Sequence, residues 1–335
     1  MVISLSSGLL RSLFWFLDFI KPRQVLNLAS QIPIMSLEVN RLTKIYGSQK
    51  ALDEVSFVAQ KGEVLGFLGP NGAGKSTTMK IATGFILPDQ GDVMVNGLSV
   101  LQKPKEVSRL VGYLPEHNPL YPDMYIREFL TFIGGLYGMK GTSLKSRIEE
   151  LIHLCGLEVE AHKKINQLSK GYRQRVGLAK ALIHDPEVII LDEPTTGLDP
   201  NQLVEIRKLI KNISADKTLI LSTHIMQEVE AICDKVVIIN KGKIVASDLL
   251  KNLKTEKGKS VLVLETEEVL ELEWFSKLGE ISFSSSDKSI QLKVNDAAAA
   301  RKELLQILQQ RNLTLVSIQQ KEKNLESIFH QITQS

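Results

Sequence analysis

The stretch GPNGAGKS, residues 69–76, decides the fold, because it has the GxxxxGKS pattern of a phosphate-binding loop. It follows the apolar run Val64–Leu68, which predicts a buried strand, and a glycine-rich turn between a strand and a helix points backbone N–H groups inward. Lys75 offers a positive charge to the β- and γ-phosphates of a nucleotide, and the Ser76 hydroxyl suits Mg²⁺. The predicted nucleotide contacts are Gly69, Pro70, Asn71, Gly72, Ala73, Gly74, Lys75, Ser76 and Thr77.

A second pattern ends a short apolar run in two carboxylates. Val188–Leu191 predicts a buried parallel strand, and Asp192 and Glu193 follow at its carboxyl end, where open α/β sheets bind ligands. We expect Asp192 to hold Mg²⁺ through water and Glu193 to polarise the water that attacks the γ-phosphorus. An isolated Asp-Glu pair more often caps a helix or lies in a solvated loop. The preceding strand and the phosphate loop upstream favour the catalytic interpretation.

With three further motifs, the sequence from about residue 36 to 250 resembles the ABC-family ATPases. LSKGY at Leu168–Tyr172 is similar to the family's signature motif, Gly197–Pro200 to its D-loop, and Ser222–His224 to the segment that carries its switch histidine. The resemblance implies a P-loop (RecA-like) α/β core with a small antiparallel β subdomain and a helical subdomain, ATP and Mg²⁺ as cofactors, and ATP hydrolysis. It also implies that Tyr46 stacks on adenine.

Two family residues need separate comment. By resemblance, His224 contacts the γ-phosphate, and Asp199 belongs to the D-loop that helps to bind the nucleotide. A lone histidine after a strand is more often structural. Its place after the strand that follows the Asp-Glu pair favours the phosphate contact.

The loop after Leu114 departs from the family pattern. The family carries glutamine where this sequence has Glu116, and that glutamine contacts Mg²⁺ and the attacking water. A carboxylate still binds Mg²⁺ but adds negative charge beside a triphosphate. We expect Glu116 to remain a metal contact and to alter the rate of hydrolysis without abolishing it. The alternative is that Glu116 faces solvent and only the shape of the loop matters.

The signature motif departs from the family pattern as well. Ser169 and Gly171 are retained, and a serine hydroxyl with glycine N–H groups at a helix N-terminus can bind a γ-phosphate, which in the family belongs to the opposite subunit. Lys170 adds positive charge near that phosphate, and Tyr172 is expected to pack. The segment LSKGYRQRVGLAKAL resembles the subgroup that works with type-2 exporters.

Composition agrees with a soluble nucleotide-binding protein. The chain has 335 residues, enough for about two domains. Its formal net charge is +3 without a polybasic run, so no nucleic-acid partner is expected. Its two cysteines, Cys155 and Cys233, lie far apart and suit buried positions in a reducing compartment. ATP chemistry implies the same cytoplasmic side, and the family resemblance implies peripheral attachment to the cytoplasmic face of the inner membrane.

Residues 1–34 form an extension before the recognisable first strand. The apolar run Leu9–Ile20 is too short and too charged for a transmembrane helix, which needs about 20 apolar residues. The extension is either an amphipathic membrane anchor or a segment upstream of the native start at Met35. The second interpretation is favoured because Met35–Val39 is similar to the usual opening of the family's first strand.

The predicted organisation is an ATP-binding domain over residues 35–250, with its helical subdomain at about 107–180, and an accessory α+β domain over 251–335. The run KNLKTEKGKS reads as a linker. Strands and helices after it follow the order β-α-β-β-α-β of a ferredoxin-like sandwich, with the first helix predicted over Glu268–Leu278 and the second over Asp296–Gln310. A last helix is predicted over Asn324–Thr333. We expect this domain to be regulatory or to support a dimer.

One phosphate loop and one signature cannot close a family-type site within one chain. We therefore expect a homodimer, or a dimer with a paralogous ATPase subunit, around two Mg-ATP, driving a separate transmembrane permease. The alternative is a soluble ABC ATPase of DNA repair or translation, and the signature and D-loop argue against a P-loop kinase or GTPase. The loop YLPEHNPLYPDMYIREFL and the C-terminal part resemble the ATP-binding subunits of bacterial gliding-motility transporters.

Overall fold

A computed structural model describes residues 35–254, 260–276, 278–283, 287–294, 296–321 and 329. The extension at residues 1–34 and nearly all of the predicted last helix lie outside the described residues. Within the described ranges, no helix is both long and apolar enough to cross a bilayer.

The described residues form strands in three sheets, with the helices between them. The strands are β1 (Met35–Tyr46), β2 (Gln49–Gln60), β3 (Val64–Leu68), β4 (Gln90–Val95), β5 (Leu98–Ser99), β6 (Val111–Leu114), β7 (Val188–Asp192), β8 (Thr218–Thr223), β9 (Lys235–Asn240), β10 (Lys243–Leu249), β11 (Ser260–Thr266), β12 (Glu280–Phe283), β13 (Ser289–Val294) and β14 (Leu315–Lys321). The α-helices are α1 (Lys75–Ala82), α2 (Pro104–Leu110), α3 (Ile126–Leu136), α4 (Gly141–Leu154), α5 (Lys170–Leu182), α6 (Pro200–Ile213), α7 (Met226–Ile232), α8 (Leu250–Lys254) and α9 (Ala297–Arg311).

The central sheet has six strands in the order β10-β9-β3-β8-β7-β6. All its pairings are parallel except that of β9 with β10, which is antiparallel. Strands β3, β7 and β8 are buried along their whole length, which explains their almost continuous apolar sequences. Because the strands are parallel, the residues after β3, β7 and β8 emerge at one edge of the sheet.

Each face of the central sheet packs against a different layer. One face packs on the antiparallel sheet β2-β1-β4-β5, and the rings of Phe57 and Phe67 meet there with centroids 5.1 Å apart. The other face packs on helices, where Phe129, Leu178 and Val229 belong to one apolar cluster. Strand β6 belongs to the central sheet, so the predicted helical subdomain, taken from about residue 107, includes one core strand at its start.

The C-terminal sheet has the order β12-β13-β11-β14, and all three of its pairings are antiparallel. That order is the topology of a ferredoxin-like sandwich. Helix α9 starts at Asp296, whose side chain accepts hydrogen bonds from the backbone N–H groups of Ala298 and Ala299. Leu304 and Leu308 of α9 pack on this sheet.

One prediction for this part of the chain is wrong. The helix expected over Glu268–Leu278 is only a 3₁₀ turn at Leu272–Phe275, because hydrogen bonds to distant segments keep the preceding residues in a non-helical conformation. The Glu268 carboxylate accepts from Thr314 N and Oγ1, each at 2.8 Å, and Leu270 N donates to Asp287 O at 2.8 Å. Residues 251–254 of the predicted linker belong to helix α8, whose first residue, Leu250, is buried in the core cluster of the central sheet and its helices. Residues 255–259 of the linker lie outside the described residues.

Candidate functional site

The phosphate loop connects β3 to α1, as the sequence predicts. Gly74 precedes α1 with φ +112°, and a Cβ built there would lie 2.7 Å from the Ala51 carbonyl oxygen. Glycine is therefore required at this position both by its backbone conformation and by the close approach of β2. The loop therefore packs closely against the antiparallel sheet. Its last residues lie at the N-terminus of α1.

Lys75 reaches back across the loop and is almost fully buried. Its Nζ donates to the Gly69 carbonyl oxygen at 2.8 Å and lies 3.4 Å from Glu193 Oε1, with the two side chains only 6% and 7% exposed. A buried cation needs such partners, since leaving it unpaired costs several kcal/mol. Lys75 and Glu193 therefore form one electrostatic unit.

Glu193 is held from several sides. Its Oε2 accepts from Thr196 Oγ1 at 3.3 Å and lies 2.9 Å from His224 Nδ1, which is placed to donate to it. Its own backbone has φ +51°, a conformation that non-glycine residues adopt at a cost and that recurs at functional sites. The carboxylate is thus fixed between Lys75 and His224 at the carboxyl ends of β7 and β8.

Asp192 lies beside Glu193 and faces the start of α1. Its Oδ1 accepts from Ser76 Oγ at 3.2 Å and from Ser222 Oγ at 2.5 Å, and the pairing of β7 with β8 places Asp192 opposite Ser222. Carboxylate and hydroxyl oxygens are the donors that Mg²⁺ prefers. The pair Ser76 and Asp192 therefore fits the predicted metal, and these two residues would hold it.

A cleft of about 350 Å³ is lined by the side chains of Lys75, Glu193 and His224. Of the predicted site residues, the cleft brings together Asn71, Gly72, Gly74, Lys75, Ser76, Thr77, Glu116, Glu193 and His224. Asp192 lines the adjoining cavity together with Ser76 and Glu116. Tyr46 lies at the end of β1 with half of its surface exposed, available to a ligand rather than packed in the core.

Among the residues lining the cleft in the described chain, neither the signature nor the D-loop is represented. Ser169 is exposed and caps α5 by accepting from Tyr172 N at 3.3 Å, and Asp199 caps α6 by accepting from Gln202 N at 2.9 Å. A Cβ on Gly171 would lie 2.7 Å from the Gln202 side chain. The signature thus packs against the helix that follows the D-loop, and both motifs lie outside the lining of the cleft of their own chain.

Sequence reasoning missed two residues of the site. Thr196 holds Glu193, and Ser222 holds Asp192. Thr196 lies three residues after Glu193, and Ser222 lies two residues before His224. Their closeness to predicted site residues in the sequence is the signal that could have indicated them. The partner of Ser222 could not be assigned from the sequence because that contact depends on how β7 and β8 pair, and the contact of Thr196 depends on the turn that follows β7.

The comparisons with known proteins agree with this geometry. The sequence profile of the ABC transporter family matches residues 52–196. The chain is 34% identical over 295 residues to an uncharacterized ABC transporter ATP-binding protein, YxlF, of Bacillus subtilis, an alignment covering 88% of this chain and 98% of that relative. It is 36% identical over 216 residues to the Nod factor export ATP-binding protein I of Burkholderia lata, covering 64% of this chain and 71% of that protein.

A solved structure gives the same result for the fold. An ATP-binding cassette in a dimeric post-hydrolysis state with ADP and Pi superimposes with a TM-score of 0.59 at 26% identity, covering 64% of this chain and 98% of that one. The chain belongs to the ATP-binding proteins of ABC transporters. It is an ABC ATPase that binds ATP, and the predicted α/β fold class with a P-loop core and an antiparallel β subdomain is confirmed.

Proposed function

We propose that this chain is the ATP-hydrolysing subunit of a multi-component ABC exporter. Two subunits, identical or paralogous, close around two Mg-ATP. This proposal rests mainly on the separation of the phosphate loop from the signature within one chain. Lys75 and Glu193 line the cleft, whereas Ser169 and Gly171 lie outside its lining. A second subunit is then needed to present a signature to the nucleotide.

In the proposed site each residue has one role. Lys75 and the loop N–H groups bind the phosphates, and Tyr46 stacks on the adenine. Ser76, Asp192 and Glu116 hold Mg²⁺, which supplies charge neutralisation at the phosphates when bound. Glu193 takes the proton of the attacking water, and His224 contacts the γ-phosphate. Ser169, Gly171 and Asp199 act on the nucleotide of the opposite subunit.

The metal role of Glu116 gives a first prediction. Glu116 is exposed and borders both the cleft and the cavity beside Asp192. Glu116→Gln is expected to raise the Mg²⁺ concentration for half-maximal turnover about five- to tenfold, because one charged oxygen ligand is lost. Glu106→Gln, at an exposed carboxylate of α2, is the control. Unchanged Mg²⁺ dependence and turnover would show that Glu116 faces solvent and only the loop shape matters.

A groove beside the site supports a transmembrane partner. It has a volume of about 420 Å³ and is lined by the residues directly after α1, by β6, by the end of α3 and by single turns of α2 and α5. Phe85 and Leu136 line it, and they are 75% and 69% exposed. Large apolar side chains this exposed mark an interaction surface. We infer that a loop of a membrane subunit occupies the groove and attaches the ATPase peripherally to the cytoplasmic face of the inner membrane.

Affinity purification of the tagged protein from detergent-solubilised native membranes, followed by mass spectrometry, tests this partner. We expect a stoichiometric polytopic membrane protein with the wild type, and its loss with Phe85→Asp. Val159→Asp is the matched control, because Val159 is 74% exposed on a different surface. Recovery of a soluble dimer alone, or with nucleic-acid or ribosomal partners, would favour a soluble ABC ATPase of DNA repair or translation.

The export direction is supported by the printed name of one relative, the Nod factor export protein. Gliding motility is a finer prediction that rests on the loop after Leu114 and on the C-terminal part. The relatives named above do not bear on it. For the C-terminal sheet and α9 we propose a regulatory or dimer-supporting role.

A further inference from the structure

The loop that carries Glu116 is tied to the helix that carries the signature. We call residues 115–125, between β6 and α3, the Glu116 loop. Within it, Asn118 Nδ2 donates to the Arg173 carbonyl oxygen at 3.3 Å, and Asn118 Oδ1 accepts from Lys180 Nζ at 3.1 Å. Both partners belong to α5, which begins directly after Ser169. One side chain therefore spans two turns of the signature helix.

This contact requires a glycine on the helix. Gly177 lies between Arg173 and Lys180 on α5, and a Cβ built on it would lie only 2.0 Å from Asn118 Nδ2. Any larger residue would push the asparagine away from the helix. Glycine in the interior of a helix costs about 1 kcal/mol relative to alanine, so its presence here has a packing reason.

Lys180 depends on the same contact. Burial lowers the pKa of Lys180 to about 8, since the charged form is poorly solvated at this position. Lys180 lines the cavity that also contains Glu116 and Asp192. Asn118 Oδ1 supplies an acceptor that such an ammonium group needs.

The far end of the Glu116 loop is tied to the same unit, just before the signature. Ile165 N donates to the Met124 carbonyl oxygen at 3.0 Å, and Asn166 N donates to the Pro122 carbonyl oxygen at 2.9 Å. The loop is thus bonded to the chain on both sides of Ser169. A displacement of the loop must be accompanied by a displacement of the signature.

We propose that Asn118 is a positioning residue that couples the two ATP sites of the dimer by tying the Glu116 loop to the signature helix. Glu116 borders the cleft of its own subunit, whereas Ser169 and Gly171 face the nucleotide of the partner subunit in the proposed dimer. Nucleotide that moves Glu116 in one site then moves the signature that completes the other site, which is a coupling between two sites. This inference rests on the proposed dimeric function.

The test compares Asn118→Ala with Asn166→Ala in the full chain, using steady-state hydrolysis at increasing ATP concentration, ATP affinity by calorimetry, and thermal unfolding. Asn166 bonds to the Glu116 loop through its backbone N–H, which alanine keeps, so Asn166→Ala is a matched control. Asn118→Ala should lower kcat about tenfold, as loss of a residue that orients a ligand does. It should also lower the Hill coefficient from about 2 toward 1, with ATP affinity unchanged within about twofold. Asn166→Ala should match the wild type.

Two further variants keep the test decisive if Asn118→Ala folds poorly. Asn118→Asp keeps the acceptor for Lys180 and loses the donor to Arg173, so its Hill coefficient should fall between those of wild type and Asn118→Ala. Lys180→Met keeps the apolar stem and removes the ammonium group that bonds to Asn118 Oδ1, and it should also reduce cooperativity. Wild-type cooperativity in Asn118→Ala, or in both substitutes, would overturn the proposal. A wild type that neither dimerises nor hydrolyses ATP would instead contradict the proposed function itself.

Discussion

Glu193→Gln is expected to lower ATP turnover about 10²- to 10⁴-fold, the usual contribution of a general base, while ATP binding persists. In the structure the Glu193 carboxylate faces Lys75 at 3.4 Å, so the phosphates of ATP must compete with it for that ammonium group. Glutamine removes the competing charge and cannot take the proton of water. The variant should therefore bind ATP at least as tightly as the wild type and accumulate as an ATP-bound dimer.

The measurement combines single-turnover hydrolysis with size-exclusion chromatography in the presence of Mg-ATP. Glu228→Gln is the matched control, because Glu228 is also buried and its carboxylate accepts from Thr223 Oγ1 at 2.8 Å. The control is expected to hydrolyse ATP at the wild-type rate. Rapid turnover by Glu193→Gln would refute the assignment of Glu193 as the general base.

Lys75→Ala should give the second large effect, on binding. The lost charge-assisted hydrogen bonds are expected to weaken ATP affinity about 10- to 100-fold. The free energy of unfolding should also fall, because Glu193 loses a buried cationic partner and keeps only Thr196 and His224. Titration calorimetry with ATP and denaturant unfolding measure the two effects.

Lys80→Ala provides the comparison for this prediction. Lys80 lies in the same helix as Lys75 but is exposed. Its replacement should leave affinity and stability near the wild-type values. Equal loss of affinity in both variants would mean that the general charge of α1, and not the position of Lys75, binds the phosphates.

The phosphate loop could be predicted because its determinants are local. The apolar run Val64–Leu68, the glycines and Lys75 all lie within residues 64–75, so the strand, the turn and the start of the helix follow from neighbouring residues. The carboxylates that end β7 are likewise placed by the strand directly before them. Predictions of this kind need only the chain itself and the rule that ligands bind at the carboxyl ends of parallel strands.

Contacts between distant segments could not be predicted. The links from Glu193 to Lys75 and His224, and from Asn118 to α5, arise only once the strands pair and the helices pack. The helix expected over Glu268–Leu278 is a case in which such contacts override the local sequence preference. Its sequence is compatible with a helix, but the Glu268 carboxylate accepts hydrogen bonds from the backbone N–H and the hydroxyl of Thr314, and these contacts keep its start out of a helix.

The central claim is that each ATP site is completed by two subunits, and subunit mixing tests it most directly. Glu193→Gln and Ser169→Arg each inactivate every site of a homodimer, one through the base and the other through the signature. A mixed dimer contains one site in which both groups are intact. ATPase activity of the two variants, mixed before ATP is added, should therefore exceed that of either variant alone. Inactivity of the mixture, in dimers shown by mass spectrometry to contain both variants, would contradict a site shared between subunits.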